Sequence, residues 1–107
     1  MVGQFGVQAE TAVPELLRAL NHTDGIIQAH ALVVLGMIKS QPEKCLPALV
    51  PFLSSPDLGF RQKAIGALAA FGTNALPAKF AIRGALSDSD AIVRGRAEWL
   101  LERFSEK

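Results

Sequence analysis

Residues 53–61, Leu-Ser-Ser-Pro-Asp-Leu-Gly-Phe-Arg, largely decide the fold, because the chain repeats their pattern 33 positions later. The matching stretch at 86–94 is Leu-Ser-Asp-Ser-Asp-Ala-Ile-Val-Arg. Another copy, with leucine and aspartate at the same two places, begins 33 positions earlier at Leu20. A period of this length is typical of proteins built from stacked helical units, each of which buries its apolar side against its neighbours.

The apolar residues that follow each aspartate recur at helical spacing. Counted from Asp24, Asp57 and Asp90, positions 3, 7, 11 and 14 are apolar in every copy. These columns are Ile27/Phe60/Val93, Ala31/Ala64/Ala97, Leu35/Leu68/Leu101 and Ile38/Phe71/Phe104. Because this spacing forms one stripe on a helix of 3.6 residues per turn, each copy is predicted to end in an amphipathic helix. The predicted ranges are 25–39, 58–72 and 91–104.

A shorter apolar segment precedes each aspartate, over 12–20, 43–53 and 75–86. Short polar links rich in N-capping residues join each segment to the helix that follows it. The alternating pattern of a half-buried strand appears nowhere in the chain. The sequence therefore predicts an all-α fold of helix–turn–helix units.

Prolines mark the beginnings of the shorter segments. Each segment has one proline in its predicted first turn, where a missing N–H costs little. These are Pro14, Pro47 and Pro77. Ser40 and Glu43 have the spacing of a capping box. Pro51 falls inside the second segment and predicts either a tolerated bend or one that curves the array.

The two quoted stretches resemble the inter-helix signature of short HEAT repeats, of the type called phycobilisome-lyase HEAT-like. With Ala64, Leu68, Gly72 and the run at 76–78, the likeness covers residues 12–104. It implies a right-handed, armadillo-like α-solenoid of three helix–turn–helix repeats that serves as a protein-binding scaffold. Ankyrin repeats share the length, but their Thr-Pro-Leu-His element is absent here, and the tetratricopeptide columns of Trp, Gly and Tyr do not match.

The resemblance also implies a structural ladder between repeats. In this family an aspartate and the arginine four residues later line up in successive repeats and cross-link neighbouring turns. The matching pairs are Asp57 with Arg61 and Asp90 with Arg94. In the first repeat Gln28 stands where the arginine would follow Asp24, which predicts a weaker link there.

The repeat frame divides one domain, residues 1–107, into 7–39, 40–72 and 73–107. Residues 1–6 are expected to end a truncated preceding repeat, because Val2 and Phe5 fall in apolar columns; a frayed first turn is the alternative. At the far end, charged residues replace apolar ones in the columns that would face a further repeat. They are Lys79, Arg83, Glu98 and Glu102. This change predicts that residues 76–107 form a C-terminal cap.

The side of the second helices farthest from the predicted core is small and apolar where it is expected to be polar. This face is the predicted binding surface for another protein. Its proposed contact residues are Val33, Met37, Gln62, Lys63, Arg96, Trp99 and Arg103. The alternative is that loops or a missing repeat cover it. A second copy of the chain is the competing expectation for the partner, and it would cover the N-terminal flank of the first repeat, which the truncated start leaves unprotected.

Composition limits the other classes of partner. The net charge is only +1, half of the chain is hydrophobic and a fifth is charged. His30, Lys63 and Arg96 share a column, and some HEAT-like proteins are DNA glycosylases, but three aligned bases fall short of a nucleic-acid footprint. No apolar run approaches the ~18 residues of a membrane span. A role as accessory to a bilin lyase follows from the family name alone, and a cytoplasmic location is expected.

Catalytic and metal-binding patterns are missing from the sequence. Glu98 and Glu102 lie on the predicted capping flank, and the single cysteine, Cys45, lies in an apolar segment without a histidine at helical spacing. Two histidines at 22 and 30 match no metal-ligand spacing. The sequence thus predicts a protein that is not an enzyme and has no cofactor.

Overall fold

The computed structural model describes the backbone of residues 2–105 and the side chains of residues 11–105. This part of the chain is helical throughout, with short links and no strand. Its α-helices are α1 (Val2–Ala19), α2 (Gly25–Ile38), α3 (Pro42–Leu49), α4 (Leu58–Phe71), α5 (Lys79–Gly84) and α6 (Ala91–Ser105). Three 3-10 segments, Val50–Ser54, Gly72–Ala78 and Ala85–Ser87, continue or precede the helices of the first layer. The all-α prediction is confirmed.

The helices form two layers. α2, α4 and α6 pack side by side in one, and α1, α3 and the segments around α5 form the other. The molecule measures 39 × 38 × 18 Å, and its thinnest dimension corresponds to about two helix diameters. The layer of α2, α4 and α6 is called below the second-helix layer. The layer of α1, α3 and the segments around α5 is called the first-helix layer.

The second helices begin where their capping aspartates dictate. Oδ1 of Asp24 accepts a hydrogen bond from the Ile26 N–H at 2.8 Å, and Oδ1 of Asp57 accepts one from the Gly59 N–H at 2.8 Å. Asp90 caps α6 in the same way through the Val93 N–H at 3.0 Å. The observed α2, α4 and α6 agree with the predicted ranges to within one residue at each end.

The first helices differ from the prediction. α1 is one continuous helix that contains Pro14, and it extends well before the predicted start at 12. α3 begins with Pro42 and has Pro47 inside it, whereas Pro77 lies within a 3-10 segment. None of the predicted first-turn prolines therefore occupies a first turn. The side chains of Val2 and Phe5, which the sequence assigned to a preceding repeat, lie outside the described residues.

Two prolines explain why the first helix of the second pair is interrupted. Pro47 and Pro51 each remove a backbone donor from successive turns, and the α-helix ends at Leu49 and continues as 3-10 turns. Pro51 thus lies in the 3-10 segment and does not kink a continuous α-helix. The predicted capping box is wrong as well, because Gln41 is the N-cap and no side chain caps the helix.

Two residues other than glycine have a left-handed backbone next to α2 and α3. Lys39, at the C-cap of α2, has φ 55° and ψ 40°, and its N–H donates to Leu35 O at 3.0 Å. Gln41 has φ 53°. In the repeat frame the counterpart of Lys39 is Gly72, which also has a positive φ, 60°, but a ψ of −134°, outside the left-handed helical region. Glycine tolerates a positive φ far better than residues with a Cβ.

The core lies between the two layers and follows the predicted columns in part. Ile27, predicted for the buried stripe, is 38% exposed, and Leu101 and Phe104 are only partly buried. Ala31, Ala64 and Ala97 are essentially inaccessible, so the two helices of each pair can approach closely there. Leu35 and Leu68 are also fully buried. The other large, fully buried side chains include Leu32, Leu49, Ile65, Ile82 and Leu100.

α2 and α4 approach each other closely at Gly36. A Cβ added to this residue would lie 2.9 Å from the Ala67 Cα and 3.1 Å from the Ala67 Cβ. Gly66, on α4, contrasts with it, because a Cβ there would meet no atom within 4 Å. Of these two glycines, Gly36 is the one that packing requires.

One continuous helical stretch, Leu58–Ser87, is apolar enough to be compared with a membrane span. Its most apolar 18-residue window has a mean hydropathy of 1.2, and 39% of that window is buried. The stretch therefore meets the length and composition test for a membrane span, which the core helix of a soluble protein also meets. The stretch is not one straight helix, since α4 ends at Phe71 and Gly72 has a positive φ. The 14 residues of α4 span about 21 Å, less than the ~30 Å of hydrocarbon.

Candidate functional site

Two hollows lie on the exposed side of the second-helix layer, one on each side of α4. The first hollow, between α2 and α4, has a volume of about 540 Å³. It is lined by Val33, Gly36, Met37, Lys39, Lys63, Gly66, Ala67 and Ala70. The second hollow, between α4 and α6, has a volume of about 510 Å³ and is lined by Gly66, Ala69, Ala70, Gly95, Arg96 and Trp99. The exposed surface of α2, α4 and α6 around them is called the second-helix face.

Small residues create the hollows. Neighbouring helices pack 8–10 Å apart, and long side chains usually fill the groove between them. Here the floor is glycine and alanine. Gly66 and Ala70, one helical turn apart on α4, line both hollows. They form a low ridge between two cavities that open to solvent.

Large apolar side chains stand at the edges of the hollows. Val33 and Trp99 are each 42% exposed, and Met37 is 71% exposed. The guanidinium of Arg103 lies 4.5 Å from the centre of the Trp99 ring, which is within cation–π distance. Two opposite walls, one aliphatic and one aromatic, therefore flank the ridge of α4.

The charged residues that line the two hollows are all basic. Lys39 and Lys63 line the first, and Arg96 lines the second. A smaller third hollow of about 370 Å³ begins at Lys63 and has a different character, because Asp24 and Asp57 line it. Positive charge is thus concentrated beside the apolar walls and negative charge at the beginnings of α2 and α4.

The structure brings together six of the seven residues predicted for the binding face. Val33, Met37, Lys63, Arg96 and Trp99 line the hollows, and Arg103 covers Trp99. Gln62 has a structural role, because its Nε2 donates to Asp90 Oδ2 at 3.1 Å. This bond and the Val93 N–H hold the pKa of the Asp90 carboxyl below its usual value.

The cross-link between the second and third helical pairs has a different acceptor from the one implied by the resemblance. Nε of Arg61 donates to Oδ2 of Asp88 at 2.9 Å, and both side chains are largely buried, at 16% and 8% exposure. Nη1 of Arg61 also donates to the Ser55 carbonyl at 2.9 Å. Asp57 and Asp90 act as helix caps.

The other residues of the arginine column hold their own inter-helix links. Nη1 of Arg94 donates to the Asp88 carbonyl at 2.7 Å, and Nε2 of Gln28 donates to the Leu20 carbonyl at 2.8 Å. Gln28 therefore performs a comparable local task with an uncharged group.

Several residues were missed by the sequence analysis. Lys39 lines the first hollow although the sequence did not assign it to the face. Gly66 lies on the predicted face, but it was not proposed as a contact residue. Asp88 was not assigned to the ladder between repeats. On the first-helix layer, Leu76 and Phe80 are 50% and 87% exposed. They lie one turn apart, and their apolar character in the repeat columns of Glu43 and Pro47 was the available signal.

Nothing among the described side chains forms a candidate metal site, since no group of three His, Cys, Asp or Glu residues lies close enough together. Cys45 is buried, and its Sγ donates to the Ser40 carbonyl at 3.2 Å. Burial, and then the charge of Glu43, raises the pKa of this thiol. A raised pKa keeps the group in the protonated form that does not act as a nucleophile.

We expect Cys45 to react with a disulfide reagent at least about tenfold more slowly in the folded protein than in the chain unfolded in guanidinium, because the thiolate fraction and access are both reduced. Absorbance of the released thiolate at pH 8 measures both rates. Equal rates would show that Cys45 is accessible and contradict its burial.

Two layers of paired helices joined by short links, with a periodic apolar core, define an α-helical repeat protein. The family model for HEAT repeats matches residues 13–102. The chain belongs to the HEAT-repeat family. A search of curated proteins found no significant match to it.

Proposed function

We propose that this chain is a protein-interaction module that binds its partner on the second-helix face and has no catalytic activity. HEAT repeats are commonly interaction scaffolds, which supports the class of function. The observation that carries the choice of face is the pair of open hollows flanked by exposed Val33, Met37 and Trp99. Contiguous exposed apolar surface usually marks a contact, and tryptophan with arginine is typical of interaction hot spots.

The finer architecture belongs to the same proposal. We infer three repeats of the short, phycobilisome-lyase-like type in a right-handed solenoid, in a protein of the cytoplasm. The three capped second helices at a spacing of 33 residues support the repeat number. The partner is another protein or a second copy of this chain.

Replacing Val33 and Trp99 together with lysine tests the face. Both side chains are partly exposed, so the fold is expected to persist while the apolar walls are lost. Tagged protein is used to capture partners from an extract of cells that express it, with quantitative mass spectrometry as the measurement. We expect the captured partner to fall at least about tenfold.

The matched control is Leu76→Lys with Phe80→Lys, which places the same two charges on the first-helix layer. It is expected to retain the partner, and far-UV circular dichroism should be the same for both variants. A partner kept by the Val33/Trp99 variant and lost by the control would place the binding surface on the first-helix layer and refute the proposed face.

A further inference from the structure

We propose that the occupant of the second-helix face is an acidic amphipathic helix of a partner protein, laid across α4 with one apolar side chain in each hollow. The inference rests on the proposed function and names the chemistry of the partner. It draws on the charge around the hollows, their spacing and the shape of the ridge between them.

The charge of the site selects an acidic ligand. Lys39 and Lys63 stand at the first hollow, Arg96 at the second, and Arg103 over Trp99 beside it. No acidic residue lines either hollow. A ligand that buries apolar groups here brings its flanking side chains next to these cations, where carboxylates are favoured and ammonium groups are repelled. The excess is local, since the chain as a whole carries only +1.

The spacing of the hollows suits a helix. They lie on opposite sides of α4, so their centres are separated by about one interhelical distance, roughly 10 Å. Residues seven apart on an α-helix are separated by about 10.5 Å along the axis and share a face. One such pair can therefore enter the first and second hollows together.

The ridge leaves room for the turn between the two anchors. A residue three or four positions after the first anchor passes directly over α4, at Gly66 and Ala70. A Cβ at Gly66 would meet no atom of the protein within 4 Å, so the missing side chain serves no internal contact. Its absence lets the backbone of a crossing helix approach, which is the usual effect of small residues at helix contacts.

The same features disfavour nucleic acid. A duplex is bound mainly through a row of phosphate contacts, and its affinity falls steeply with salt. The hollows have an apolar floor, and the cations are spread over three elements, with Lys39 at the end of α2, Lys63 on α4 and Arg96 on α6. Leucine or phenylalanine side chains fill such cavities, whereas phosphates require polar donors. Nucleic acid is accordingly an outcome that the experiment distinguishes.

The probe is a fluorescein-labelled 15-residue peptide with leucine at positions 4, 8 and 11. Glutamate occupies the positions that flank the leucines on the helix surface, and alanine occupies the rest. A second peptide has glutamine in place of every glutamate, and a 20-base-pair DNA duplex is the third ligand. Fluorescence anisotropy at low salt measures binding to the full chain. We expect the glutamate peptide to bind at least tenfold more tightly than the glutamine peptide and than DNA.

Two variants locate the binding on the face. Lys63→Glu with Arg96→Glu is expected to weaken the glutamate peptide at least tenfold. Its matched control, Lys44→Glu with Arg83→Glu, makes the same change in net charge at exposed residues of the first-helix layer and should leave binding unchanged. Gly66→Leu, which raises the ridge where nothing else is touched, is also expected to abolish binding while the circular dichroism stays the same.

The outcomes separate this inference from the proposed function. Equal binding of both peptides, or tighter binding of DNA that is lost with Lys63→Glu and Arg96→Glu, overturns the acidic-helix assignment. No binding of either peptide also overturns it, and a partner captured in a face-dependent way would then leave the proposed function standing. Unchanged peptide binding by Gly66→Leu would show that the ligand does not cross α4.

Discussion

Replacing Arg61 with alanine is expected to lower the free energy of unfolding by about 2–4 kcal/mol, because it leaves the largely buried Asp88 carboxylate without its ion-pair partner. The Asp88 carboxylate, only 8% exposed, would lose its bidentate ion pair. The Ser55 carbonyl would lose a charged donor at the same time. A pair this well covered is screened little by solvent, in contrast to the exposed pair of Arg18 with Glu15.

Urea unfolding followed by circular dichroism measures the effect, with Arg18→Ala as the control. The Arg18 variant should differ from the parent by less than about 0.5 kcal/mol. The double variant Arg61→Ala with Asp88→Ala should be less destabilised than the sum of the two single changes, since the two residues are in contact. Strict additivity would contradict the ion pair that the structure shows.

Two glycine substitutions are expected to change stability in opposite directions. Gly36→Ala should cost about 1–3 kcal/mol, because the new methyl group would clash with the backbone of Ala67, which cannot move away as a flexible side chain does. Gly66→Ala should gain about 0.5–1 kcal/mol, because alanine favours the helix and its methyl group meets nothing. Both residues lie inside second helices.

Thermal or urea unfolding of the two variants side by side provides the measurement. Because the chemical change is identical and both sites are helical, the difference between them reports the contact between α2 and α4. A stabilising effect of alanine at both positions would show that the two helices are less closely packed at residue 36 than described.

The second helices could be predicted closely because local rules and tertiary packing agree there. An aspartate caps each helix, and the alanine column and two of the three leucines of the stripe that follows are fully buried. The first helices could not, because proline is acceptable both in a first turn and in a 3-10 segment. Pro47 satisfies a sequence rule for helix starts, but Pro42, five residues earlier, takes the N-terminal place.

The sequence predicted which apolar residues of the candidate face are exposed. It did not predict the ion-pair partner of Arg61 or the position of Lys39. Exposed apolar positions such as Val33 and Trp99 follow from helical geometry. The acceptor for Arg61 does not follow from it. Asp88 stands in a column that holds serine in the preceding copy, whereas the invariant aspartate column points to Asp90. Lys39 was missed for a related reason, since its place in the first hollow depends on how the chain turns after α2.

Lys39 has two opposing effects. Its strained backbone lowers the stability of the fold, and its side chain adds a positive charge to the first hollow. The corresponding residue of the next pair is glycine, which adopts a positive φ with little strain, whereas a lysine there costs about 1 kcal/mol or more. Lysine at this position also supplies one of the cations of the first hollow. Lys39→Gly is therefore expected to yield a more heat-resistant protein that, under the proposed recognition of an acidic helix, binds this ligand more weakly. Laboratory selection for thermal tolerance alone would discard a residue on which the proposed recognition relies.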